Sequence, residues 1–231
     1  MLVPPLYHPP TTADIVDIIR MFPMAVFLTN GATLPHATNL PAILVHDDTA
    51  EVREGTVLYG HMNKRNPHWA ALSDGDPAKL VFNGPGTYIS PVHYRTDPAA
   101  PTWNFVTIHL SGQIRRMTTA EDTFHVARTT SARLEATFGG GWDQASSLDY
   151  HQSIIGGVGA FEFVVDETEA MFKLSQEKTP EVQQRIIDTF LREPRGSSQD
   201  QIARVMLKTG LGAAVEPQRS PDVIPTFNSP N

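Results

Sequence analysis

Apolar positions along this chain recur with two periods, and the switches between them outline its elements. Ile15, Ile18 and Ile19 fall three and four residues apart behind Thr11-Thr12-Ala13-Asp14, a capped helix start that runs to about Met21. Met24 to Thr29 and Ala37 to Val45 read as strands separated by the Asn30-Gly31 turn, and Thr56 to Gly60 as a third. Asn66-Pro67 opens a short helix to roughly Ser73. Lys79 to Asn83 and Thr87 to Ser90 read as strands flanking a tight Gly84-Pro85-Gly86 turn. Trp103 to Met117 is the longest strand signal, with Gly112 as a bulge or bend. A helix from Thr119 to Phe138 stops at Gly139-Gly140-Gly141, and a shorter one spans Ser147 to Ile155. Val158 to Val165 and Ala170 to Leu174 read as closing strands. Helices follow from Thr179-Pro180 to Leu191 and from Ser198 to Lys208.

Strands with short connections fill the first half, and helices cluster after the long strand. That order predicts an α+β fold, a small β-barrel with helices packed on its outside. No G-x-G-x-x-G follows a strand, so a doubly wound nucleotide fold does not fit. Residues 1–211 are expected to form one domain, and residues 212–231, polar and Pro-rich, a flexible tail. With 231 residues, 40% of them hydrophobic, the chain is long enough for a real core.

Charge and cysteine usage narrow the function. A net charge of −7 argues against bulk capture of nucleic acid or of an anionic membrane. The absence of cysteine removes thiolate haem ligation, iron–sulfur clusters, Cys-based zinc sites, disulfides and thiol catalysis. Any metal must be held by His, carboxylate, Tyr or Met. No run reaches the length of a membrane span, and the N-terminus lacks a signal-peptide layout, so a soluble cytoplasmic protein is expected.

The densest chemistry lies in Gly60-His61-Met62-Asn63-Lys64-Arg65-Asn66-Pro67-His68-Trp69. Here a histidine is expected where a strand ends and a helix begins. Lys64 and Arg65 stand beside it, and Asn63 to Asn66 could form an anion-binding concavity. Such a place suits a cofactor that joins a metal or ring system to anionic groups. The competing reading is a histidine satisfied by a carbonyl, with two solvated cations. Trp103 and Asn104 suit stacking on a flat ring and bonding to its edge, or else simple packing at a strand start. Lys173, Ser175 and Gln176 place a cation, a hydroxyl and an amide at a strand end, which an exposed strand end explains as well. Tyr88, His93, Tyr94 and His109 are acid–base candidates, although no Ser–His–Asp order or His-x-x-x-His helix singles any of them out.

Five ordered segments carry a family resemblance. They are Gly60-His61 with Asn66-Pro67-His68-Trp69; Val81-Phe82-Asn83-Gly84-Pro85 with Tyr88-Ile89-Ser90-Pro91; Pro101-Thr102-Trp103-Asn104; Gly157-Val158-Gly159-Ala160-Phe161; and Lys173-Leu174-Ser175-Gln176. Over about residues 1 to 192 the chain resembles the PaiB-type proteins, often called FMN-binding negative transcriptional regulators. The resemblance implies a flavin-reductase-like split β-barrel that forms a homodimer with its cofactor at the subunit interface. Trp142-Asp143, Ser147-Leu148-Asp149-Tyr150 and Met171-Phe172 bring the chain nearer to the haem-dependent piperazate synthases of that family. Two places depart from the family pattern: Asn39 stands where a His is usual, and Lys64-Arg65 where an Arg followed by a small residue is usual.

The nearer branch implies haem b rather than FMN, with His61 as axial ligand and Lys64, Arg65 or Lys173 on the propionates. Trp103, Asn104 and Gln176 would complete the cofactor site. The substrate implied is N5-hydroxy-L-ornithine, closed to L-piperazate with loss of water, with Tyr88 and His109 for proton transfer. FMN-dependent oxidoreduction and transcriptional regulation are the alternatives. The acidic balance and the weakly basic last helix, with only Arg204 and Lys208, speak against the regulator.

Overall fold

The computed structural model describes residues 1–46 and 48–212, so the expected tail lies, from residue 213 on, outside the described residues. The elements follow in the order α1 (Thr12–Met21), β1 (Met24–Thr29), β2 (His36–Leu44), β3 (Val57–Asn63), α2 (Pro67–Ala70), β4 (Pro77–Ile89), β5 (Thr102–Arg116), α3 (Ala120–Phe138), α4 (Leu148–Ile154), β6 (Val158–Lys173), α5 (Pro180–Phe190) and α6 (Ser198–Lys208). The strands close a barrel in the order β1-β2-β3-β6-β5-β4, with β4 returning to β1. The α+β barrel with flanking helices is therefore the architecture found.

The chain packs as two compact units. The larger holds Thr11–Asn83 and Ile108–Glu169. Its interior is built from alternate strand positions, among them Phe27, Leu58, Leu80, Phe82, Phe161 and Phe163, all fully buried. On the other face of β3, Tyr59 packs with Ile43, Ala160 and Val126 of α3. Helix α1 starts with a reciprocal capping box between Thr11 and Asp14, which satisfies two of the donors a helix start leaves free. The smaller unit holds Met1–Pro10, Gly84–Thr107 and 170–212. Phe172, Leu174, Ile186, Ile187, Ile202 and Met206 are buried there. Arg185 of α5 donates to the carbonyls of His93 and Tyr94, tying that helix to the loop after β4.

Three sequence expectations are corrected. Gly84-Pro85-Gly86 does not turn; β4 runs unbroken from Pro77 to Ile89. The small residue at 86 serves close approach, since a Cβ there would lie 3.3 Å from Phe105 Cβ. The two closing strands are one, Val158–Lys173. The Asp166-Glu167-Thr168-Glu169 run that looks like a break carries its polar side chains outward, and Glu169 pairs with Lys79 at 3.3 Å. Strand β3 extends three residues further than its apolar signal, through Asn63, because His61, Met62 and Asn63 continue the ladder against Ala160, Gly159 and Val158 of β6. Strand β5 keeps its alternation through Gly112, where the glycine serves close approach: a Cβ there would meet the Val164 carbonyl at 2.1 Å.

Candidate functional site

Strands β2 and β3 pair at Ala42 with Gly60, Ile43 with Tyr59 and Leu44 with Leu58. The next residue of β2 is Pro41, which has no N–H to give to the ladder. From there the strands form opposite walls of a cavity of about 520 Å³: Thr38–Pro41 on one side, His61–Asn63 on the other. Asn66 and the segment after α3, through Ile154, Gly157 and Val158, complete it. The volume lies in the range of small-ligand and cofactor sites.

His61 therefore sits inside a strand, not at a strand-to-helix junction as expected. Its ring is half-buried, and Nδ1 is sealed from solvent with no hydrogen-bond partner. Burial holds its pKa below the ordinary value. The imidazole is thus neutral near pH 7, with a lone pair to offer.

The turn after it corrects a second expectation. The Lys64 N–H donates to the Gly157 carbonyl, Arg65 N–H to Asn63 Oδ1, and Asn66 N–H to the Asn63 carbonyl. The N–H groups of His68 and Trp69 go to Asn66 Oδ1 and the Asn66 carbonyl. The backbone donors that would cradle an anion are already engaged, so no anion-binding concavity forms. What the turn offers is the exposed side chains of Lys64 and Arg65, between the wall residues Asn63 and Asn66.

Under this wall lies a buried network. His68 is 3% exposed, stacked between Phe27 at 4.9 Å and His36 at 5.1 Å. Its Nε2 is 2.8 Å from Thr29 Oγ1 and its Nδ1 2.9 Å from Thr38 Oγ1. Asn66 Nδ2 donates to the same Thr38 hydroxyl at 3.1 Å. Burial first, and then the neighbouring His36, lowers the His68 pKa. These residues stand at positions 29, 36, 38, 66 and 68, with no motif to link them.

His109 lies in β5, half-buried, with its pKa lowered by burial and then by Lys79; it is not among the residues lining the cavity. The other expected site residues belong to the smaller unit. Tyr88 and Trp103 are exposed and meet edge to face at 6.4 Å. Asn104 is fully buried; its Oδ1 accepts from Ser175 Oγ at 3.0 Å and its Nδ2 approaches Met206 Sδ at 3.8 Å. Lys173 Nζ donates to Thr102 Oγ1 at 2.7 Å. Gln176 folds back on its own strand end, accepting from Leu174 N–H and donating to the Phe172 carbonyl. It braces a turn whose Ser175 has φ of +66°. The amides of Asn104 and Gln176 thus have protein partners.

Residues 1–167 match the family described as "Putative FMN-binding domain". The chain belongs to that family. It is 24% identical over 210 residues to the protease synthase and sporulation protein PAI 2 of Bacillus subtilis, covering 89% of this chain and 96% of that protein. Among solved structures, the FAD and haem binding protein from Mycobacterium smegmatis superposes with a TM-score of 0.51 at 13% identity, over 96% of this chain and 92% of that one. The conserved hypothetical protein Rv2991 from Mycobacterium tuberculosis gives 0.51 at 11% identity, over 77% and 92%. These likenesses are to the flavin-binding split-barrel fold. No helix of the described residues is long and apolar enough to cross a membrane.

Proposed function

We propose that this family member is a haem-dependent cyclase that converts N5-hydroxy-L-ornithine to L-piperazate with loss of water. The observation that carries the reading is His61: a neutral, unpartnered imidazole in the wall of a cofactor-sized cavity. The residues present fit a haem. Leu40, Pro41, Met62, Ile154 and Val158 supply apolar wall, and Lys64 and Arg65 supply cations for propionates. Lys173, bonded to Thr102, is no longer needed for that role.

When bound, the iron would act as Lewis acid and template for the hydroxylamine. The chain's own part is to hold the group through His61 and to fold the substrate so that its two nitrogens meet. It must also keep the attacking α-amine unprotonated. The N–O bond breaks with its electron pair on oxygen, the amine lone pair forms the N–N bond, and amine proton and departing oxygen leave as water. No reductant is consumed.

A second reading, FMN-binding oxidoreduction in an assembled dimer, is favoured by the family match. It asks Lys64 and Arg65 to grip the phosphate by side chains alone, since the turn's N–H groups are engaged. The spectrum of the purified protein separates the two. A Soret band that is lost in His61→Ala, with formation of a product one water lighter than N5-hydroxy-L-ornithine, is the expected result. A flavin spectrum with no haem uptake would overturn the proposal.

A further inference from the structure

Geometry fixes the orientation of the Asn66 amide beneath the cavity wall. Asn66 Oδ1 caps α2 by accepting the His68 N–H at 3.0 Å, so the other end of that amide, Nδ2, must be the one facing Thr38. An amide nitrogen only donates. Thr38 Oγ1 therefore accepts from Asn66, and its single proton is free to go to His68 Nδ1 at 2.9 Å when that nitrogen is unprotonated. With Nδ1 as acceptor, the neutral ring carries its proton on Nε2 and gives it to Thr29 Oγ1 at 2.8 Å. In that tautomer, the one the relay below requires, the bonds run Asn66 to Thr38 to His68 to Thr29. Thr38 lines the cavity, and its hydroxyl keeps one lone pair uncommitted.

We infer that Thr38 and His68 form a proton relay that takes a proton from an amine bound in the cavity. The amine N–H proton moves to Thr38 Oγ while the Thr38 proton moves to His68 Nδ1. The imidazolium so formed has both N–H groups bonded, one to Thr38 and one to Thr29, so the charge is not left with an unmade bond. The reverse shift returns the proton to the departing oxygen as water. His36, stacked on His68, is the titratable group that faces it; Phe27 covers the other side, and Thr29, Thr38 and Asn66 supply the edge. A positive charge on His36 would oppose the imidazolium. Tyr88 and His109 do not line the cavity. The inference rests on the cyclase reading for its substrate and on the hydrogen-bond geometry for its residues.

Two measurements test it. In the apo protein, ring nitrogen NMR is expected to find His68 protonated on Nε2 and accepting at Nδ1, with that preference lost in Thr38→Val. A proton on Nδ1 would reverse the bond order and overturn the relay. In the haem-loaded protein, His68→Gln keeps hydrogen bonding but cannot titrate. It is expected to retain the Soret band while cyclisation falls at least ~10²-fold near neutral pH and recovers as pH rises. Thr38→Val is expected to behave likewise, and Thr38→Ser to keep the wild-type profile. An unchanged rate and pH profile in His68→Gln would overturn the relay. Wild-type protein that binds haem but never cyclises the substrate would overturn the functional reading instead, and the ring-proton measurement alone would then decide the relay.

Discussion

His61 and His68 are seven residues apart and are held by different means. His61 is flanked by its own strand and left without a partner; His68 is clamped at both nitrogens. Both rings are kept neutral by burial, as are those of His93 and His109. A folded-state pKa below the unfolded value near 6.5 means that the unfolded chain takes up protons first as pH falls. Stability from these groups is therefore complete above about pH 6.5 and declines as the medium is acidified through it. Thermal unfolding of the apo protein is expected to show a falling Tm from about pH 7.5 to 5.5, with a shallower slope in His61→Gln and in His68→Gln. A slope unaltered in both variants would mean that neither ring is held neutral by the fold.

At the scale of elements, the local signals were strong where capping or alternation was unambiguous. Strand β1 and helix α6 begin and end where the sequence places them, and Thr11-Asp14 and Thr119-Asp122 mark helix starts as capping residues do. Strands β4 and β6 were legible only in halves, because Gly-Pro-Gly and a run of acids look like breaks unless the closed ladder around them is known. The same limit applies to the site. Gly60-His61 stands out in sequence, whereas Thr29, Thr38 and His68 meet only once β1, β2 and α2 are assembled. Glycine in β6 shows how tightly that assembly is specified. A Cβ at Gly159 would fall 2.4 Å from the indole of Trp69, a ring that is buried and covered by the Arg116 guanidinium at 4.5 Å. Gly159→Ala is expected to cost about 1–3 kcal/mol in denaturant unfolding. Because Gly159 pairs with Met62 beside His61, its cofactor affinity should drop as well. Shrinking the ring with Trp69→Leu in the same chain should recover part of the loss in a double-mutant cycle, and strict additivity would remove the contact as the cause.

For the whole molecule, a cofactor that binds the folded chain and not the unfolded one must raise its unfolding temperature. At a free concentration near one hundred times Kd, binding contributes about 2.7 kcal/mol. For a chain of this size that corresponds to a shift of roughly 5–10 °C. Ferric haem titrated into the apo protein should produce such a concentration-dependent rise, and FMN at the same concentrations should not. His61→Ala should lose the rise while its own apo Tm stays near that of the wild type, since the side chain makes no hydrogen bond whose removal would weaken the fold. The reverse pattern, with FMN stabilising and haem inert, would assign the cavity to flavin. Equal shifts with both would point to a site that reads a flat ring and a pair of negative charges without regard to metal, leaving His61 a wall residue.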